Sequence, residues 1–165
     1  MVKRAMAGLV LAIVVVVGFF GISSAEDGVS ALSKALGQAK LFSGLTEAER
    51  TALESAATLR HGRERERIIE QGKSSARMFI ILKSRAEVRI NGKRLVTLPV
   101  QALVGEIEFL DGPPATADVV LLGETDLIEL NNAALTELME RQPRLGYVLM
   151  GEIARIEARR LRLRK

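Results

Sequence analysis

The sequence has no cysteine and no tryptophan, and among 165 residues it has one histidine, one tyrosine and five phenylalanines. The lack of cysteine excludes disulfides, thiolate metal sites and cysteine nucleophiles, and it leaves the redox compartment open. A lone histidine, His61, offers no spaced partners for a metal site or a nucleophile relay. No paired acid and base stand in a recognisable context either, so we expect a protein that is not an enzyme.

The chain also has little net positive charge outside its two ends. The formal net charge is +4, but Lys3, Arg4 and the basic stretch 155–165 account for the excess. The middle of the chain is therefore close to neutral, and we expect no nucleic-acid-binding face there. The sequence also leaves no room for a helix-turn-helix domain after the last predicted helix, so DNA is not an expected partner.

The N-terminal segment, residues 1–25, is apolar and predicts a transmembrane anchor or a signal peptide. Residues 5–22 carry no charged side chain and would span roughly 27 Å as a helix, about the thickness of a bilayer core. The alternative is an exported soluble protein, since Ala25 ends a small-residue site suited to cleavage. The cations before the segment favour a single-pass protein of the bacterial inner membrane whose domain faces the periplasm. Residues 26–40 are predicted to be a linker.

Residues 41–165 predict one mainly β domain with flanking helices. Thr46 and Glu49 form a capping-box pattern at the start of a helix predicted to continue to Ala57. Asn91-Gly92 is a strong signal for a tight β-hairpin. Such short strands, with one helix before and a long one after, predict a jelly roll preceded by the N-terminal hydrophobic helix. The predicted strands are 68–69, 79–82, 88–90, 95–98, 119–122 and 127–130.

The stretch Gly105–Val119 carries the most specific pattern in the chain. It resembles the phosphate-binding cassette of the cyclic nucleotide-binding domain family, and Leu41–Leu45, Ile68–Gly72 and Met78–Leu82 resemble other parts of that family. The resemblance covers about residues 41–163 and implies the family's fold, a double-stranded β-helix or jelly roll. One departure is Arg65, which stands where the family's turn usually has a glycine.

The resemblance also implies the roles of the cassette residues. The backbone amides of Gly105, Glu106 and Ile107 would face the cyclic phosphate, Glu106 would accept the ribose hydroxyl, and Thr116 would supply a hydroxyl. The family's phosphate-binding arginine is replaced by Ala115, and Asp118 adds a negative charge nearby. Losing a charged hydrogen bond of roughly 1.5 to 3 kcal/mol would weaken binding about ten- to a hundredfold. We therefore expect no cofactor and a degenerate cassette, with a weakened or altered ligand site as the alternative.

The last helix shows an apolar stripe formed by Leu145, Leu149, Ile153 and Ile156. Two readings stay open at this point: the stripe pairs two subunits into a homodimer, or it packs on the roll of its own chain. The sequence therefore predicts a membrane-anchored, non-catalytic binding or structural module that docks on a partner protein. The alternative is a cyclic nucleotide sensor that signals through its C-terminal helix.

Overall fold

The computed structural model of the chain describes residues 24–163. The apolar run at residues 5–22 lies outside these residues, and so does the predicted membrane contact. Between residues 24 and 163, no helix is both long enough and apolar enough to cross a bilayer.

The segment predicted to be a linker is a helix. Helix α1 spans Ser24–Gln38, and its apolar side chains recur at the spacing of one helix face. Leu32, Ala35 and Leu36 on this face are buried in the core. Most of the segment predicted to be a linker, residues 26–40, is thus helical, and between residues 31 and 40 its polar side chains are exposed.

The entry to the β domain is a 3-10 turn at Lys40–Phe42 followed by helix α2 at Glu47–Leu53. The capping box is confirmed: Glu49 N donates to Thr46 Oγ1 at 3.3 Å, and Thr46 N donates to Glu49 Oε2 at 2.8 Å. The helix ends before Ala57, which begins the first strand and pairs with Leu130. The predicted continuation to Ala57 was wrong because pairing with a distant strand decides the structure there.

The strands form two four-stranded antiparallel sheets. The strands are β1 Ala57–Gly62, β2 Arg67–Ile69, β3 Arg77–Ile81, β4 Ala86–Ile90, β5 Lys93–Leu98, β6 Ala102–Val104, β7 Asp118–Leu121 and β8 Thr125–Asn131. One sheet has the order β1-β8-β3-β6 and the other β2-β7-β4-β5, so the fold is jelly-roll-like with flanking helices. Helix α3, Glu106–Asp111, connects β6 to β7, and helices α4, Asn132–Arg141, and α5, Pro143–Arg162, follow β8.

Two turns show how local sequence sets the backbone. Asn91 and Gly92 have φ angles of 50° and 76° and join β4 to β5, which confirms the predicted hairpin. Arg65 has a φ angle of 64°, in the left-handed region that glycine adopts most readily. The missing family glycine therefore leaves the turn in place but puts an arginine in a strained conformation.

The core has two parts, separated by the first sheet. Alternate residues of β3 point to opposite faces: Met78 and Ile80 pack with the helices, whereas Phe79 and Ile81 pack inside the roll. Leu145, Leu149 and Ile153 of α5 are fully buried in the helical part of the core. Three residues of the apolar stripe of α5 therefore pack on their own chain, and a homodimer through the C-terminal helix stays a prediction.

Candidate functional site

The cassette begins at a glycine that no other residue replaces without strain. Gly105 follows β6 with a φ angle of 85° and caps the start of α3. A Cβ atom at this position would lie 2.5 Å from the carbonyl oxygen of Arg77 and 3.2 Å from Cα of Met78. Both atoms belong to the backbone of the β3 region, so α3 starts in tight contact with the first sheet.

Glu106, the first residue of α3, is buried with 4% of its surface exposed. Its Oε1 accepts a hydrogen bond from Nη1 of Arg160, near the end of α5. Arg160 also donates to Oε1 of Glu157 at 2.7 Å and to the carbonyl oxygen of Leu103 at 2.5 Å. Oε2 of Glu106 is buried and has no hydrogen-bond partner among the described residues. The predicted ribose-binding carboxylate is therefore present, half satisfied and covered by α5.

Burial raises the pKa of the Glu106 carboxyl to about 7. The positive charge of Arg160 acts in the opposite direction, and the neighbouring carboxyl of Glu157 adds to the upward shift. Since burial outweighs the ion pair, Glu106 changes its charge near neutral pH.

This titration predicts a pH-dependent stability. The folded-state pKa of Glu106 lies above its ordinary value of 4.5, so between pH 4.5 and 7 the folded protein holds a proton that the unfolded chain has released. The free energy of unfolding should therefore fall by up to roughly 3 kcal/mol as pH rises through this window. Glu106→Gln should remove this component, whereas the exposed Glu140→Gln should keep it. Urea unfolding from pH 5 to pH 8 measures it, and equal slopes for wild type and Glu106→Gln would contradict the assignment.

Glu108, also buried, ties the cassette to the loop between β2 and β3. Its carboxylate accepts hydrogen bonds from the backbone amides of Ser75 and Ala76, both at 3.0 Å, and from the hydroxyls of Ser74 and Ser75. Burial raises its pKa, but these hydrogen bonds outweigh burial and lower the pKa below the ordinary value. Glu108 is therefore a fixed negative charge in the first turn of α3.

The second half of the cassette is held by the same loop. The backbone of Ala115 accepts from Gly72 N at 2.7 Å and donates to Lys73 O at 3.1 Å, and its side chain packs against the apolar interior of the roll. Thr116 is exposed, as is Ile107 in α3. Asp118 Oδ1 accepts from Gln71 N at 2.8 Å and lies 3.6 Å from Nη1 of Arg67.

The cassette is strongly acidic. Residues 105–118 contain Glu106, Glu108, Asp111 and Asp118 and no basic residue. The position of the family's arginine, Ala115, carries no charge. Two cations from other elements reach the cassette: Arg160 contacts Glu106, and Arg67 lies near Asp118. Residues 105–118 themselves therefore supply no positive side chain to an anionic ligand.

Two open recesses lie on another part of the surface. One, of about 450 Å³, is lined by Glu64, Arg65, Arg67, Arg89 and residues 120–122, and the other, of about 500 Å³, by Arg60, His61 and residues 63–66. Neither is lined by cassette residues. No group of three potential ligands in the part of the chain that the structure describes is arranged to hold a metal ion.

The chain belongs to the cyclic nucleotide-binding domain family, whose profile matches residues 59–142. It is 33% identical over 101 residues to the cAMP-dependent protein kinase regulatory subunit of Mycosarcoma maydis, a match that covers 59% of this chain. The chain spans about a fifth, 19%, of the length of that relative.

Solved structures share the fold. A cyclic nucleotide-binding domain from Methylobacillus flagellatus superposes with a TM-score of 0.69 at 22% identity, covering 84% of this chain and 80% of that one. A regulatory subunit of a cAMP-independent protein kinase A from Trypanosoma cruzi, bound to guanosine, superposes with a TM-score of 0.57 at 23% identity, covering 68% of this chain and 41% of that one. Its counterpart from Trypanosoma brucei superposes with a TM-score of 0.58 at 22% identity, covering 72% of this chain and 45% of that one.

The Trypanosoma brucei structure is a variant bound to cAMP in its A site. In it a glutamate is replaced by alanine, a threonine seven residues later by arginine, and the following valine by alanine. The proteins similar to this chain are thus binding domains and regulatory subunits rather than catalytic chains.

Two residues of the site were not predicted from the sequence. Arg160 was placed only in a basic helix end, and its contact with Glu106 joins residues 54 positions apart. Glu108 was seen as part of the cassette without a role of its own. The sequence nevertheless indicates a role for Glu108, because a second acidic residue in the first turn of α3 repels a phosphate.

Proposed function

We propose that this domain is a regulatory module that binds a nucleoside, an uncharged ligand with ribose hydroxyls, at the cassette. The observation that carries the proposal is the charge of the cassette, which holds four acidic side chains and no basic one. The sequence alone favoured a docking module without a ligand over a sensor. The similarity to a kinase regulatory subunit supports the sensor better.

The charges explain why a cyclic phosphate is disfavoured. Without an arginine at position 115, a phosphate loses a forked partner worth roughly 1.5 to 3 kcal/mol. Glu108 and Asp118 would also lie near the negative ligand, and Glu108 keeps its charge because its pKa is lowered. A nucleoside has no phosphate and avoids both costs.

A ribose fits what the site does offer. Oε2 of Glu106 is a buried acceptor without a partner among the described residues, and such an atom costs about 1 to 3 kcal/mol when left unsatisfied. The two ribose hydroxyls are donors that would satisfy it. We therefore assign Glu106 the role of ribose acceptor.

The trypanosomal proteins support the same ligand class. In the Trypanosoma brucei protein the threonine follows the glutamate by seven residues, and the valine comes directly after the threonine. Glu108, Ala115 and Thr116 of this chain have the same spacing. The variant bound to cAMP has lost this glutamate and gained an arginine, whereas this chain has the glutamate and lacks the arginine. In this respect the chain resembles the unsubstituted cAMP-independent protein, whose Trypanosoma cruzi counterpart is bound to guanosine.

A thermal-shift panel on the full chain in mild detergent tests the proposal. Guanosine, inosine or adenosine at about 100-fold above its Kd should raise the Tm by on the order of 5 to 10 °C. The matching 2′-deoxynucleoside should raise it less, and Glu106→Gln should abolish the shift while Glu140→Gln keeps it. A shift that is equal in Glu106→Gln, or no shift with any nucleoside, would contradict the proposal.

A further inference from the structure

The side of α5 that points away from the core carries a second stripe of apolar residues. Its members recur at intervals of three and four residues, which places them on one helix face: Tyr147, Met150, Ala154, Ala158 and Leu161. All five are exposed, and Tyr147 and Leu161 expose 82% and 66% of their surface. The stripe is separate from Leu145, Leu149 and Ile153, which are buried in the core. We call it the outer stripe of α5.

A row of arginines runs along one side of the outer stripe. At intervals of four and three residues, the neighbouring helix face carries Arg155, Arg159 and Arg162. The two carboxylates in this part of the helix, Glu152 and Glu157, are each paired with an arginine of α5. Arg159 and Arg162 form no ion pair with any residue that the structure describes. Within that part of the chain, the outer stripe is therefore bordered by two guanidinium groups without a carboxylate.

An exposed apolar stripe bordered by arginines is the surface with which an amphipathic helix lies on an anionic bilayer. Side chains such as Tyr147 and Leu161 enter the boundary between headgroups and acyl chains, and guanidinium groups bind the lipid phosphates. The apolar segment predicted to be an anchor ends at residue 22, and α1 begins at Ser24. An anchor in that position would keep the domain next to a bilayer and give α5 a high effective concentration of lipid.

A second copy of the chain is the competing occupant of the outer stripe. In a parallel pair of α5 helices, the positive helix ends of both copies would lie side by side, and like charges at such distances repel. The arginine row also continues in the sequence into Arg164 and Lys165. An anionic bilayer has the opposite charge along the whole row. The charge beside the outer stripe therefore favours lipid over a second copy.

We propose that the outer stripe of α5 and its arginine row bind the surface of an anionic phospholipid bilayer. The arginines contact the lipid phosphates, and Tyr147 and Leu161 enter the outer part of the acyl layer. This contact uses no residue of the cassette and needs no nucleoside. It holds the domain against the bilayer at a second point, in addition to the predicted anchor.

Tyr147 reports on this contact directly, because it is the only tyrosine of the chain and the chain has no tryptophan. The test uses the full chain reconstituted in vesicles in which part of the phosphatidylcholine carries a nitroxide quencher close to the headgroup. Quenching of Tyr147 fluorescence should be at least about threefold stronger with about 30% phosphatidylglycerol than with phosphatidylcholine alone. About 0.5 M sodium chloride should remove most of this difference, because it screens the arginines.

Arg159→Gln combined with Arg162→Gln should lower the quenching in anionic vesicles to the level in phosphatidylcholine alone. The matched control is Arg85→Gln combined with Lys93→Gln, which removes the same charge from two exposed side chains near β4 and β5 and should leave the quenching unchanged. If the first double variant folds poorly, the salt dependence of the wild type decides the question.

Equal quenching of wild type in the two kinds of vesicle would overturn the proposal, as would an equal loss in both double variants. A full chain that does not float with the anionic vesicles would do the same. If a second copy covers the outer stripe instead, quenching of Tyr147 stays low in both kinds of vesicle and chemical cross-linking yields a dimer. That result would assign the stripe to a protein interface and reject the lipid contact.

Discussion

The triple variant Glu108→Ala, Ala115→Arg and Thr116→Ala should bind cyclic AMP at least tenfold more tightly than the unmodified chain. The new guanidinium at position 115 would supply the forked, permanently charged partner that the cassette lacks. Loss of Glu108 removes a fixed negative charge and frees the amides of Ser75 and Ala76 that it now binds. Charge-assisted hydrogen bonds of roughly 1.5 to 3 kcal/mol correspond to a ten- to hundredfold gain.

The matched control is the same triple change with glutamine at position 115, which has similar length and polarity but no charge. It should not gain cyclic AMP binding. Isothermal titration of both variants with cyclic AMP and with guanosine gives the comparison. A variant with arginine that folds, as judged by its thermal unfolding, and binds cyclic AMP no better than wild type would show that the charge of the cassette does not set the ligand class.

Gly105→Ala should lower the free energy of unfolding by at least about 3 kcal/mol and abolish ligand binding. The left-handed backbone alone costs a non-glycine residue about 1 to 2 kcal/mol. The new Cβ would also lie 2.5 Å from the carbonyl oxygen of Arg77, a backbone atom that moves only with its strand. The start of α3, with Glu106, would therefore shift away from β3.

Gly112→Ala is the control for this change. Gly112 has nearly the same backbone angle, with φ of 89°, but a Cβ there meets no atom within 4 Å. Gly112→Ala should lower the free energy of unfolding only by the cost of the left-handed backbone, about 1 to 2 kcal/mol. Urea unfolding of both variants separates the two costs, and an equal loss in both would mean that the contact with Arg77 does not constrain the cassette.

Features with a local cause were predicted well from the sequence. The Asn91-Gly92 hairpin and the Thr46 capping box each depend on a few consecutive residues, and both are confirmed. The position of the cassette followed from its glycine and its residue classes. The turn at Arg65 also depends on local sequence. The sequence lacks the family's glycine there, and the backbone of Arg65 is in the left-handed region.

Features that depend on distant partners were missed. Helix α1 was predicted to be a linker because its buried face is recognisable only against the core it covers. Ala57, the first residue of β1, was predicted to be helical because its strand partner, β8, is distant in the sequence. The apolar stripe of α5 fitted a dimer interface and an intrachain contact equally well by spacing. The membrane segment at residues 5–22 and the outward orientation stay predictions.

The central claim is that the acidic cassette selects a neutral nucleoside, and titration of the full chain with guanosine and cyclic GMP under identical conditions tests it most directly. The two ligands share base and sugar and differ in the charged cyclic phosphate. We predict that guanosine binds with a Kd at least tenfold lower than cyclic GMP. Equal or tighter binding of cyclic GMP would contradict the account, as would the absence of binding by guanosine.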